Sequence, residues 1–259
     1  MQAVIQTDRL TKTFGAFTAV NEISFEVGAG EIFGFLGANG AGKTTALKML
    51  TGLLEPTRGS AMVAGFDVGR YPEEVKRRIG YMSQRFSLYE DLTVRENIRF
   101  YGGIYGLPTP EIRRKTGLLL DKLQLTAQAD ALVGSLPLGW KQKLAFSVAL
   151  LHEPRIVFLD EPTSGVDPLT RRQFWDLIYE AAHEGVTLMV TTHYMDESEY
   201  CDRVSIMVDG RMDALDTPHK LKKQFAASDM DEVFRRLARP DEPLVRDGQT
   251  PHIFKTPDE

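Results

Sequence analysis

Apolar residues come in short bursts at the start of the chain. Val4–Thr7, Ser24–Val27 and Glu31-Ile-Phe-Gly-Phe-Leu36 concentrate β-branched and aromatic side chains between polar turns, a pattern that predicts strands. The third burst is flanked by glycines and followed by a glycine-rich loop and a helix-like stretch, Thr44 to Leu53. Strand, glycine loop and helix in that order open a parallel α/β unit. Further strands are predicted at Ala61–Ala64 and Gly80–Ser83. From about Ser87 to Leu151 the pattern turns helical. Thr93-Val-Arg-Glu96 has the spacing of a capping box, and Ile112 to Leu123 and Trp140 to Leu151 read as two more helices. Strand character returns at Ile156–Leu159, Thr187–Thr191 and Val204–Val208, with a helix from about Pro168 to His183 between the first two. Asp209-Gly210 reads as a hairpin turn. A helical block therefore interrupts an α/β core. From Pro240 the chain is polar and proline-bearing and reads as a tail or linker. No internal repeat or low-complexity tract is visible.

Composition narrows the classes. The 259 residues suffice for one large domain or two small ones, and 42% apolar with 26% charged residues is ordinary for a globular protein. A formal charge of −5 argues against a general nucleic-acid binder, which is usually basic. The basic clusters Lys76-Arg77-Arg78 and Arg113-Arg114-Lys115 read as solvated helix faces. The single cysteine, Cys201, excludes an internal disulfide and fits a reducing, intracellular compartment. The N-terminus lacks a basic-then-apolar signal pattern, and no apolar run approaches the roughly 18 residues of a membrane span.

The strongest chemical signal is Gly37-Ala38-Asn39-Gly40-Ala41-Gly42-Lys43-Thr44, which matches G-x-x-x-x-G-K-[ST] at every fixed position, between a strand and a helix. Glycines let backbone N–H groups curl around a phosphate, and the helix that follows points its positive end at the same anion. Lys43 adds a cation for the β- and γ-phosphates, and the Thr44 hydroxyl can ligate magnesium. Ile156-Val-Phe-Leu-Asp160-Glu161 is the complement. A buried strand carries Asp160 to its C-terminal edge, where a magnesium ion would sit beside the phosphate loop, and Glu161 is placed to polarise an attacking water.

Together these segments resemble the nucleotide-binding subunit of ABC transporters over roughly Val4 to Arg239. That resemblance implies an α/β fold: a P-loop NTPase (RecA-like) core with an antiparallel β subdomain and an inserted helical subdomain at about 87–151. Residues 1–239 would form this nucleotide-binding domain and 240–259 the tail. The resemblance also assigns roles. Phe14, 29 residues before Lys43, would stack on adenine. The loop Gly37 to Thr45 would hold the phosphates of ATP. Gln84 in Tyr-Met-Ser-Gln resembles the Q-loop glutamine, which contacts magnesium and the water, and Ser164-Gly-Val-Asp167 resembles the D-loop. His193 in Val-Thr-Thr-His resembles the switch histidine at the γ-phosphate.

Ser135-Leu-Pro-Leu-Gly139-Trp occupies the place of the family's signature, usually Leu-Ser-Gly-Gly-Gln, which caps the nucleotide held by a second such domain. Here Pro137 replaces the serine and Leu138 the first glycine, so a hydroxyl and an N–H are lost. The N–H groups of Leu138, Gly139 and Trp140 are expected to remain for a weaker cap. Leu-Pro-Leu-Gly-aromatic-Lys-Gln, with the later Thr-Thr-His-Tyr-Met-Asp-Glu-Ser-Glu-Tyr-Cys-Asp-Arg, is similar to the YbhF-like ATPases of bacterial multidrug efflux. In those, two domains are fused in one chain and work with separate permeases and a membrane-fusion protein. The implied function is an ATP-hydrolysing motor at the cytoplasmic face of the bacterial inner membrane. It would power efflux of drugs or other small compounds through a permease, paired with a second nucleotide-binding domain, as a homodimer, a heterodimer or a fused half, and with no nucleic-acid partner. The alternatives are a soluble ATPase of the same type acting on the ribosome or nucleic acid, and a non-hydrolysing regulatory domain.

Overall fold

In the computed structural model, which describes residues 3–84 and 88–238, the strands gather into two sheets. The first is four-stranded and antiparallel. It is built from β1 (Ala3–Phe14), β2 (Phe17–Gly28), β4 (Arg58–Val63) and β5 (Phe66–Asp67), in the order β2-β1-β4-β5. The second has six strands: β3 (Ile32–Leu36), β6 (Ile79–Met82), β7 (Ile156–Asp160), β8 (Thr187–Thr192), β9 (Arg203–Val208) and β10 (Arg211–Asp216). Its order is β10-β9-β3-β8-β7-β6, parallel throughout except for the edge strand β10. The turn into β10 is the predicted Asp209-Gly210 pair, both residues at positive φ.

The central strands are buried on both faces, as parallel strands covered on each side must be. Alternation divides their side chains between two cores. Phe33, Phe35, Phe158 and Met189 join the core shared with the four-stranded sheet and with helix α1 (Lys43–Leu50). Ile32, Leu36, Val157, Leu159, Leu188 and Val190 join the other, which is filled from the helices. The Phe25 and Phe33 rings stack at 5.4 Å and tie the two sheets together.

Between the sheets' strands run α2 (Pro72–Lys76), then the predicted helical block of α3 (Val94–Ile104), α4 (Thr109–Lys122) and α5 (Leu138–Ala149), and then α6 (Pro168–His183). Phe146 of α5 meets Phe174 of α6 at 5.4 Å in the second core. Among the described residues no helix is long and apolar enough to cross a membrane. The expected tail from Pro240 lies outside the described residues.

The predicted capping box is present: Thr93 Oγ1 accepts from the Glu96 N–H at 3.2 Å, and Glu96 Oε2 accepts from the Thr93 N–H at 2.8 Å. Thr93→Ala should therefore cost about 1 kcal/mol, read as a lower urea midpoint; an unchanged midpoint would show that α3 does not depend on its cap.

Two differences from the expected elements have local causes. β1 extends to Phe14 through the polar run Asp8-Arg-Leu-Thr-Lys12, which shows no alternation because register shifts interrupt its pairing. Pairing on both sides holds that run extended. Helices α7 (Pro218–Gln224) and α8 (Met230–Ala238) follow β10, where no helix is predicted. They are too short to be stable alone and form by packing, Leu221 and Val233 being buried in the second core.

Candidate functional site

The site is assembled at the C-terminal ends of the parallel strands, where open α/β sheets place ligands. Between β3 and α1 the loop 37–42 turns back on itself, with the Ala41 N–H donating to the Ala38 carbonyl at 3.1 Å. Gly42 precedes the helix at φ 102°, and a Cβ there would lie 2.3 Å from the Ala19 carbonyl oxygen. Only glycine satisfies both conditions. No side chain caps α1, so its first N–H groups and the positive end of its dipole face the loop's concavity, an arrangement suited to an anion.

Lys43 opens α1 and is 4% exposed. Its Nζ donates to the carbonyls of Gly37 at 2.8 Å and Ala38 at 3.1 Å, and lies 3.4 Å from Glu161 Oε1. Burial pushes its pKa down, against the attraction of Glu161 and Asp160. Asp160, at the end of β7, is also buried. Its Oδ1 accepts from Thr44 Oγ1 at 3.1 Å and from Thr191 Oγ1 of β8 at 2.7 Å. Burial raises its pKa, opposed by those two hydroxyl donors.

Glu161 stands just past the strand in the left-handed region, φ 49°. That conformation costs a residue with a Cβ about 1–3 kcal/mol. It is held by the Glu161 N–H, which donates to Thr191 Oγ1 at 2.9 Å and to the Thr191 carbonyl at 3.1 Å. The turn aims the carboxylate across the loop. Oε2 accepts from Gln84 Nε2 at 3.0 Å and lies 3.0 Å from His193 Nδ1. Lys43, Thr44, Gln84 and Glu161 line one cleft of about 400 Å³, with Asp160 behind it bonded to Thr44 and His193 against Glu161. Its lining also includes Asn39, Gly40, Gly42 and Thr45 of the loop, and Phe17 and Ala19 of β2.

The oxygens of Thr44 and Asp160, with the Gln84 amide, form a hard donor set suited to magnesium. Among the described residues no three His, Cys, Asp or Glu side chains gather as a metal cage.

Four predicted residues lie elsewhere. Phe14 pairs with Phe17 across the end of the β1–β2 hairpin, half-exposed, with Lys12 Nζ 5.4 Å from its ring centroid. Phe17, rather than Phe14, lines the cleft. Leu138 and Gly139 form the first turn of α5, after Pro137 at its N-cap. Asp167 caps α6, its Oδ1 accepting from the N–H groups of Leu169 and Thr170, each at 3.0 Å. These two helix starts form their own patch. A Cβ on Gly139 would lie 2.3 Å from Thr170 Cγ2, and Gln142 Nε2 donates to the Ser164 carbonyl at 3.1 Å. One expectation is corrected: the Trp140 N–H donates to the Pro137 carbonyl at 3.0 Å. It is used within the helix, leaving Leu138 and Gly139 to offer N–H groups.

Sequence reasoning missed Thr191, which holds both carboxylate residues; the repeated threonine before His193 was its signal. It also missed Phe17, which carries no motif.

Comparison with known proteins agrees with this geometry. The profile of the ABC transporter family matches residues 20–164. The probable multidrug ABC transporter ATP-binding protein YbhF of Escherichia coli (strain K12) is 48% identical over 241 residues, 91% of this chain. The match spans only 42% of that relative's length. The Nod factor export ATP-binding protein I of Paraburkholderia xenovorans (strain LB400) is 36% identical over 256 residues, covering 98% of this chain and 83% of the relative. A solved ATP-binding subunit of an ABC transporter superposes with a TM-score of 0.81 at 30% identity, covering 90% of this chain and 99% of that one. With the phosphate loop, the strand-end carboxylates and the fold all in agreement, the chain belongs to the ATP-binding proteins of the ABC transporter family.

Proposed function

We propose that the chain is an ATP-hydrolysing motor of an exporter. The observation that carries this reading is the Glu161 carboxylate, held on a left-handed turn between Gln84, His193 and Lys43, next to an Asp160 bonded to the phosphate loop. The triphosphate would lie along Gly37 to Thr45, over the N-terminus of α1, with Lys43 turning from the loop carbonyls toward the β- and γ-phosphates. Phe17 and Phe14 offer apolar surface for the base. Thr44, Asp160 and Gln84 would hold magnesium, which when bound neutralises charge on the phosphates. Glu161 accepts the proton of the attacking water, and Gln84 and His193 orient that carboxylate and sense the γ-phosphate.

Leu138 and Gly139 would offer their N–H groups to the nucleotide of a second nucleotide-binding domain, with Asp167 near the same seam. In this reading binding energy closes the pair and hydrolysis reopens it. The pair works at the cytoplasmic face of the bacterial inner membrane on permease subunits, with a membrane-fusion protein as a further partner, and expels drugs or other small compounds. The transporter names of the two relatives above support this reading over action on the ribosome or nucleic acid. Magnesium-dependent phosphate release from ATP by the purified chain tests it; absence of turnover at dimer-forming concentrations would refute it.

The signature gives a second prediction. One charge-assisted donor is worth about 1.5–3 kcal/mol. Pro137→Ser with Leu138→Gly restores donors, so ATP-driven dimerisation should tighten roughly tenfold or more by light scattering. An unchanged dimer constant would show that this helix start does not cap nucleotide.

A further inference from the structure

We propose that Arg171 is a positioning residue for His193, locking the turn after β8 to the turn after β7; the proposal rests on the hydrolytic reading above. Arg171 lies in the first turn of α6, its N–H donating to the Asp167 carbonyl at 3.0 Å. Its guanidinium carbon sits 3.9 Å from the centroid of the Tyr194 ring. The Tyr194 ring in turn packs on the His193 imidazole at 4.2 Å, tilted by 37°. Arg171 thus backs Tyr194, and Tyr194 backs the imidazole that faces Glu161.

The same side chain grips the helical turn after His193. Its Nη1 lies 3.6 Å from Asp196 Oδ2 and its Nε 3.5 Å from Glu197 Oε1. Glu197 is fully buried, and its Oε1 accepts from Thr163 Oγ1 at 2.5 Å. Thr163 sits two residues after Glu161. The segments carrying the general base and the switch histidine are therefore joined twice, directly through Thr163–Glu197 and through Arg171. Arg171 Nε and Glu197 Oε2 are both buried without a hydrogen-bond partner. An arginine shielded to this degree is an expensive way to fill space, and a planar, delocalised cation is the group that both stacks on a ring and reaches two carboxylates.

The test is steady-state ATP hydrolysis by Arg171→Met and Tyr194→Leu. The tyrosine variant removes the ring but keeps every charge, and it lies at a half-buried position that a fold tolerates. Each variant should lose roughly 10- to 100-fold in kcat, as a misaligned catalytic group does, with KM for ATP unchanged. The double variant should be no worse than either single one, because both break the same chain of contacts. Tyr194→Phe, which keeps the ring face, should recover most of the lost rate. A purely structural ion-pair role predicts instead a lower melting temperature for Arg171→Met and wild-type kcat for Tyr194→Leu; that result would overturn the proposal. Should Arg171→Met fail to fold, the Tyr194 pair decides alone. A wild-type chain without turnover overturns the hydrolytic reading itself, and is distinguished by that control.

Discussion

Glu161→Gln is expected to bind ATP as the wild type does and to hydrolyse it roughly 10²–10⁴-fold more slowly, the range a general base contributes. Glutamine keeps the shape of the side chain and one oxygen to accept from Gln84, so the cleft survives. What it loses is the charge and the capacity to take a proton from water. Removing the charge also leaves Lys43 freer to meet the phosphates, since Glu161 Oε1 lies 3.4 Å from its Nζ. ATP affinity should therefore hold or rise. The measurement is single-turnover hydrolysis beside equilibrium binding of a fluorescent ATP analogue. Wild-type turnover would remove Glu161 from the mechanism; lost binding would mean that its carboxylate instead supports the architecture of the loop.

Lys43→Ala is expected to act in the opposite sense, abolishing most binding. Lys43 is the cation nearest two buried carboxylates, Asp160 and Glu161. Its removal deprives the phosphates of a partner and leaves like charges facing them. Breaking a buried pair in this way typically costs about 3–5 kcal/mol; a binding loss of that size is roughly 10²- to 10⁴-fold in affinity. Calorimetric titration with ATP measures it, and an affinity within about threefold of wild type would contradict the assignment.

The same substitution carries a pH signature. The Asp160 pKa is raised by folding, chiefly by burial, and Lys43 works against that rise. For a carboxylate raised in the folded state, ionisation costs stability as the pH climbs from the unfolded value through the folded one. Without Lys43 the rise is larger. The loss in melting temperature relative to wild type should accordingly be greater at neutral pH than in mild acid.

Local patterns carried much of this molecule. The phosphate loop is legible because its chemistry lies in eight consecutive residues, and the α6 span from Pro168 to His183 is legible because proline, an Asp cap and helical spacing agree. The five parallel strands of the large sheet are legible as apolar bursts, since strands covered on both faces have little polar surface; the polar edge strand β10 is not. Elements whose stability comes from neighbours are not: the polar half of β1, the short α2 and the packed α7 and α8 carry no periodic signal of their own.

By itself, then, the sequence determined the local units and the chemical groups, together with the departure at Pro137-Leu138, because each depends on residues close along the chain. Only the tertiary structure decided which distant groups meet. Gln84 and Glu161 are 77 residues apart and Glu161 and His193 are 32 apart, yet one carboxylate oxygen lies 3.0 Å from both partners. That meeting depends on strand order, with β3 between β8 and β9 and β7 beside β8. Strand order is settled by burying two faces of one sheet at once, which no short window of sequence encodes. Phe17 in the cleft, Thr191 beneath both carboxylates and Arg171 behind Tyr194 belong to that level for the same reason.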